Sequence, residues 1–308
     1  MKNNSQYIFF VGKGGTGKST VSALTALKLS QERKILLASL DPAHNQSDIF
    51  QTALSEKPTE INKNLLVIEI NIGKWIKNYL QEIEDSVRRN YLYLSAFNLE
   101  KNFNIIKNSP GLEEYALLLA FNKIREIYST KDHIIFDMPP TALTTRFFSL
   151  PSLSLLWNDH LVKLREEIIK KKELITKIRF NKKEFESDKV LKKLQQQHGF
   201  YTNVKNIFTD NNTTSINLVL NPDKLSVEES KRIIEKFKEI NIKADNIIIN
   251  KSVDESLSVV VKQKFRGIKS KTFPLSKTPL IGIEALNSYL LNNNLKKNYF
   301  ETKNKGYF

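Results

Sequence analysis

The stretch from Tyr7 to Thr20, YIFFVGKGGTGKST, constrains this chain more than any other. An apolar run, Tyr7-Ile8-Phe9-Phe10-Val11, leads directly into Gly12-Lys13-Gly14-Gly15-Thr16-Gly17-Lys18-Ser19, which satisfies the phosphate-binding pattern G-x-x-x-x-G-K-[ST]. A short run that is apolar at every position reads as a parallel strand buried on both faces. The glycines let the backbone aim its N–H groups inward, and the helix that follows presents the positive end of its dipole. In such a loop Lys18 reaches the terminal phosphates and the Ser19 hydroxyl can ligate Mg²⁺, while Gly12, Gly14, Gly15, Thr16, Gly17 and Thr20 complete the nucleotide cradle. A nucleoside triphosphate site at a strand-to-helix turn points to an α/β fold, a P-loop NTPase with a mostly parallel sheet flanked by helices.

The following residues extend that unit. Ser19 to Gln31 sets Val21, Leu24, Leu27 and Leu29 on an amphipathic helix, and Lys34 to Leu40 reads as the next buried strand, ending on Asp41. Ligands of such βαβ units bind beyond the carboxyl ends of the strands, so Asp41 is expected near the phosphates. A carboxylate there can orient an attacking water and accept its proton, which makes Asp41 a catalytic candidate with Lys18. His133 to Asp137 is a second strand ending in an acid, and Asp137 is expected to hold Mg²⁺ through water. Leu65–Ile70 and Asn246–Asn250 read as further strands, and Ser226 as a helix N-cap with Glu229 as its capping-box partner. His44, a lone loop histidine, reads as a hydrogen-bonding residue rather than a metal ligand.

Between Ser152 and Asn212 the sequence is basic and helical, with Leu164, Ile168, Ile169, Ile175 and Ile178 among Lys170, Lys171, Lys172, Lys182 and Lys183. This is an amphipathic insertion whose charged side is either solvated or turned to anionic lipid or a partner. The expectation is one ATPase domain over 1–308, with a helical subdomain contributed by about 74–130 and 152–207. A net charge of +15 follows from abundant lysine and is read as solvated faces, so nucleic acid is not an expected partner. No apolar run is long enough to span a bilayer, and the P-loop follows the apolar start too closely for a signal peptide, so a cytoplasmic protein is expected. The sequence contains no cysteine, which excludes disulfides, iron–sulfur ligation, thiolate zinc sites and cysteine nucleophiles in it.

Three segments carry a family resemblance. The KGGxGK[ST] form of the loop, with Lys13 after its first glycine, resembles the deviant Walker A motif of the superclass that includes MinD, ParA, the nitrogenase iron protein and ArsA. Asp41 to Phe50, DPAHNQSDIF, is similar to the DPAHxxSDxF switch I of the ArsA-type ATPases, which include the guided-entry targeting ATPases for tail-anchored membrane proteins. Asp137 to Pro151 resembles their switch II, with matches at Asp137, Pro140, Thr141, Thr144, Arg146, Phe147, Leu150 and Pro151, but Ala142-Leu143 stands where that family has Gly-His. The resemblance implies ATP and Mg²⁺ as cofactors, a nucleotide-bridged homodimer in which Lys13 reaches the partner's phosphates as a catalytic lysine, and Asn250 at the adenine. Without the resemblance Asn250 is equally a strand-end turn residue. It also implies a switch that binds hydrophobic membrane-protein segments, or else drives a membrane transporter or another surface-assembled partner, with peripheral membrane contact in either case. Arsenite binding and zinc clamping in this family use cysteines, so neither is expected in this sequence.

Overall fold

The computed structural model describes residues 5–90, 109, 111–180, 188–293 and 295. It divides into two compact units, one of residues 1–147 with 211–308 and one of residues 148–210. Residues 74–90 and 111–130 fall in the first unit, and the described part of 152–207 in the second.

The first unit is built on one sheet. Its strands are β1 (Gln6–Val11), β2 (Ile35–Ser39), β3 (Thr59–Asn62), β4 (Leu65–Glu69), β5 (His133–Asp137), β6 (Thr214–Leu220), β7 (Asn246–Ser252) and β8 (Lys269–Pro274). They lie side by side as β3-β4-β2-β5-β1-β6-β7-β8, every neighbouring pair parallel except β3 with β4. From β1 the chain first builds one side of the sheet, returns to insert β5 between β2 and β1, and then crosses to β6 on the other side. That reversal opens a crevice at the carboxyl end of β1, where open parallel sheets place their ligands. The sequence shows β1, β2, β4, β5 and β7 through their apolar runs; the antiparallel edge strand β3, TEIN, and the parallel edge strand β8, KSKTFP, have no such run.

The helices, in chain order, are α1 (Lys18–Leu29), α2 (Asn45–Phe50), α3 (Ile72–Asn90), α4 (Leu112–Ile127), α5 (Thr141–Phe180), α6 (Lys189–Thr209), α7 (Lys224–Glu239), α8 (Glu255–Lys264) and α9 (Ile283–Asn292). The pleat of β1 divides its side chains between two faces. Ile8 and Phe10 join Val21, Leu24 and Leu27 of α1 and Leu286 and Leu290 of α9 in one buried cluster. On the opposite face Phe9 stacks on Phe136 with ring centroids 4.9 Å apart, and Phe121 of α4 meets both rings and Tyr7. Four aromatic side chains thus bind β1, β5 and α4 together directly beneath the P-loop strand. The cap of α7 differs from the sequence expectation. Asp223, not Ser226, is the N-cap and accepts the Ser226 N–H at 2.8 Å, so the helix starts one turn earlier, while the Ser226 hydroxyl accepts the Asn221 N–H at 3.0 Å. A carboxylate at the positive end of the helix is the stronger cap.

Lys271 on β8 provides a measurable consequence of burial. Its ammonium is lowered to about 8, first by burial and second by Lys269. The unfolded chain therefore holds the extra proton between about pH 8 and 10.5, and stability should rise with pH across that window. A Lys271→Met protein should be more stable than the parent near neutral pH, and its advantage should shrink as the pH approaches 10. Denaturant melts at a series of pH values measure this; a constant difference from pH 7 to 10 would contradict it.

The second unit contains the part of α5 beyond residue 147, and α6. Phe148 meets Phe208 edge-on at 4.8 Å, Asp159 lies 3.2 Å from His198, and Arg165 forms a bidentate pair with Asp188, 2.7 Å at its shortest. Numbers that rise on one helix as they fall on the other define an antiparallel hairpin. Asp188 also caps α6 by accepting the Leu191 N–H; the Arg165 and Leu191 hydrogen bonds hold its carboxyl down at about 2. Pro151 lies within α5, in its first third. Among the described residues no helix is long and apolar enough to cross a membrane.

Candidate functional site

The ends of β1, β5 and β2 bring the acids and the glycine loop together. Strand register sets Asp137 level with Phe10 on one side and with Ser39 on the other, and Asp41 follows two residues after Ser39. The chain leaves β1 through Gly12 at φ +149°, where a Cβ would press to 2.2 Å from the Val219 carbonyl of β6. The loop ends at Gly17, φ +86°, where a Cβ would lie 2.3 Å from the Asn250 amide nitrogen. Both positions require glycine for space as well as for backbone conformation.

The shape of the loop is held by its carbonyls. The Thr16 hydroxyl donates to the Lys13 carbonyl at 2.8 Å, and the Lys18 ammonium approaches the same oxygen at 3.4 Å. From the far end of β7, the Asn250 amide donates to the Thr16 carbonyl at 2.8 Å and the Lys251 ammonium to the Gly15 carbonyl at 3.0 Å. With these carbonyls turned to their donors and the Thr16 N–H given to the Lys13 carbonyl at 3.4 Å, the other loop N–H groups are left to face an anion at the start of α1.

Beside the loop lies a cavity of about 670 Å³. Gly14, Gly15, Gly17, Lys18, Ser19 and Thr20 line one end, and Asp41, Ala43, Asn45 and Asp48 form the adjoining wall. The other end is made by Asn250 and Lys251 with the segment from Pro274 to Ile281 and Tyr289. A polar, cationic end joined to a largely apolar one matches the division of a nucleotide into phosphates and base. Gly12, Thr16 and Asp137 lie buried behind this surface, and Lys13 is partly exposed and does not line it.

Asp137 is fully buried, and burial pushes its carboxyl up to about 6, with Asp41 adding to the rise. The Ser19 hydroxyl, the Gln46 amide and the Lys18 ammonium oppose that shift. Its Oδ2 accepts from the Gln46 side chain at 2.9 Å, and its Oδ1 is buried with no hydrogen-bond partner. An orphaned carboxylate oxygen next to the serine of a phosphate loop suits a hydrated Mg²⁺, which takes one or two protein oxygens and keeps its waters. His44 is a loop residue at φ +51°, 3.6 Å from Glu69. Among the described residues no cluster of three or more His, Cys, Asp or Glu side chains offers a metal cage.

Asp41 is 5% exposed, and its Oδ1 accepts the Ala43 N–H at 3.0 Å, which fixes the carboxylate at the cavity wall. The segment after it is anchored by Glu69 at the end of β4, which accepts from the Ser47 N–H at 2.9 Å and the Ser47 hydroxyl at 2.7 Å. On the other acidic strand, Ala142-Leu143 occupies the first turn of α5, where the Thr144 hydroxyl donates to the Pro139 carbonyl at 2.6 Å and Arg146 pairs with the nearly buried Glu114 at 2.6 Å. Alanine and leucine favour that helical start more than the Gly-His that the family resemblance anticipates.

The sequence alone assigns no site role to Gln46 or Lys251, and it shows the segment from Pro274 to Ile281 only as a resemblance to the family's closing segment, without a place in the site. Lys251 carried one visible signal, its place next to Asn250. The others are joined to the site only by the fold.

Comparison with known proteins agrees with this geometry. The model of a family described as anion-transporting ATPase matches residues 5–272. A protein of Aquifex aeolicus (strain VF5) with the provisional name arsenical pump-driving ATPase 1 is 33% identical over 258 residues, 81% of this chain and 64% of its own length. A second from that organism, provisionally named arsenical pump-driving ATPase 2, is 30% identical over 91% of this chain and 96% of its own length. The ATPase ASNA1 homolog of Cryptosporidium parvum (strain Iowa II) is 31% identical over 80% of this chain and 64% of its own length. The chain thus spans less than two thirds of the first and third of these relatives and nearly all of the second.

Proposed function

The chain belongs to the anion-transporting ATPase family, and from that premise we propose that it is an ATP-hydrolysing dimeric switch that shields apolar membrane-protein segments. The nucleotide half of this reading rests on the convergence of Lys18, Ser19 and Asp41 on one cavity, with Asp137 directly behind it. In it, Lys18 and the loop N–H groups bind the phosphates, and Asp41 orients the attacking water and takes its proton. Ser19 and Asp137 would hold Mg²⁺, which when bound supplies charge neutralisation at the phosphates. Asn250 spends one amide hydrogen on the Thr16 carbonyl and keeps its other hydrogen and its carbonyl for a base. Lys13, outside the cavity of its own chain, is assigned to the phosphates of a second copy across a homodimer.

A single observation carries the choice of client. Leu153, Leu156, Trp157, Leu161, Leu164, Ile168 and Leu174 are exposed on α5, Trp157 by 71%. At about 100° per residue their spacing confines them to one side of the helix, a sector roughly 140° wide. A stripe of that kind, left uncovered within its own unit, suits an apolar helix better than it suits water. Leucine and tryptophan supply it where other such grooves use methionine, since Met138 is the only methionine after Met1. The names of the Aquifex relatives support a second reading, in which the same switch drives a membrane transporter.

The two readings separate in a reconstituted assay. Purified protein with ATP and Mg²⁺ is mixed with a photo-crosslinkable protein bearing one C-terminal apolar helix. The parent should capture it, and a Trp157→Glu/Leu161→Glu protein should capture at least about tenfold less with unchanged ATP turnover, because exposed positions cost little stability. Equal capture by both, or none by the parent, would remove the client reading.

A further inference from the structure

Gln46 is 0% exposed, the most buried residue of α2, and its side-chain amide meets three parts of the site at once. The amide nitrogen lies 3.1 Å from the Ser19 carbonyl, 3.0 Å from the Ser22 hydroxyl and 2.9 Å from Asp137 Oδ2. A carbonyl and a carboxylate only accept, so the nitrogen, and not the oxygen, must face them. Among the described residues the amide oxygen has no hydrogen-bond partner, so the side chain is held there through its donors. An amide buried with half of its polar capacity unmet is costly, and the cost is explicable where the remaining half performs a task.

We propose that Gln46 is a positioning residue for the magnesium site: it clamps one oxygen of Asp137 and thereby presents the other, Oδ1, to the water shell of the ion beside Ser19. The proposal rests on the Mg-dependent ATPase reading above. Ser19 and Ser22 on α1 hold the amide from one side, and Glu69 anchors the neighbouring Ser47 from the other, so the donor is rigid before any metal arrives. Outer residues that orient a metal-holding carboxylate are typically worth about 10–100-fold in metal affinity. Gln46 also stands on the segment that begins with Asp41, so the residue that sets the metal carboxylate and the one that sets the water share a short stretch of chain.

The test measures metal binding apart from turnover. Mn²⁺ is titrated into full-length protein saturated with a non-hydrolysable ATP analogue and followed by electron paramagnetic resonance; nucleotide affinity is measured separately in EDTA. Gln46→Met keeps the length of the side chain and removes the donor. It should weaken Mn²⁺ binding by about 10–100-fold and leave metal-free nucleotide affinity within about twofold. Unaltered Mn²⁺ affinity in Gln46→Met, or a parallel loss of metal and nucleotide binding, would overturn the proposal. Should Gln46→Met fail to fold, the side-chain amide resonance of Gln46 in the unaltered protein decides: it should shift when Mg²⁺ joins the nucleotide complex, and a stationary signal would overturn the proposal. Failure of the unaltered protein to bind nucleotide would instead refute the ATPase reading.

Discussion

An Asp41→Asn protein should bind ATP with Mg²⁺ as the parent does and hydrolyse it about 10²–10⁴-fold more slowly, the usual contribution of a positioned general base. The substitution changes one oxygen to an amide nitrogen. It keeps the volume of a side chain that is 5% exposed, and the remaining oxygen can still accept the Ala43 N–H that holds the loop at 3.0 Å. Loss of the carboxylate charge removes the acceptor for the proton of water while leaving the phosphate contacts of Lys18 and the loop in place. Single-turnover hydrolysis beside equilibrium nucleotide binding separates the two effects. Rapid turnover by Asp41→Asn would remove the residue from the mechanism.

Lys18→Ala should fail earlier, at binding. The Lys18 side chain is 5% exposed, lies at the cavity floor and touches the Lys13 carbonyl at 3.4 Å, so its charge is focused on the space in front of the loop. Replacing it removes the one cation within the loop that faces its own cavity, and several phosphate hydrogen bonds of the charge-assisted kind, each worth about 1.5–3 kcal/mol. A loss of affinity of at least about 10² follows from two such bonds. Calorimetric titration with a non-hydrolysable analogue measures it, and near-parental affinity would mean that the phosphates lie elsewhere.

The parts of this molecule that could be read from its sequence are those governed by local rules. A strand apolar on both faces, a glycine loop and a helix announce themselves within Tyr7 to Leu29, and acids at the ends of apolar runs marked Asp41 and Asp137. Those residues do converge, because parallel strands that end level must bring their last residues to one edge. What stayed hidden depends on partners far away in sequence. Asn250 could be placed at a strand end, but its bond to the Thr16 carbonyl joins residues separated by 234 positions. Gln46 looked like one more polar residue in a loop, since only the fold reveals that Asp137, 91 residues later, accepts its amide. The cap of α7 failed for a smaller reason: Asp223 and Ser226 are both good caps one turn apart, and spacing alone does not choose between them. Lys182, Lys183 and the stretch 91–108 of the expected helical subdomain lie outside the described residues.

The two ties from β7 to the P-loop carbonyls, through Asn250 and Lys251, make the most recognisable motif of this chain dependent on residues near its other end. A fragment that stopped before β7 would still spell out GKGGTGKS in full, yet its loop would lack the braces that turn the Gly15 and Thr16 carbonyls aside. Any damage that loosens the edge of the sheet beyond β6 will therefore register first as weakened nucleotide affinity, well before the protein melts.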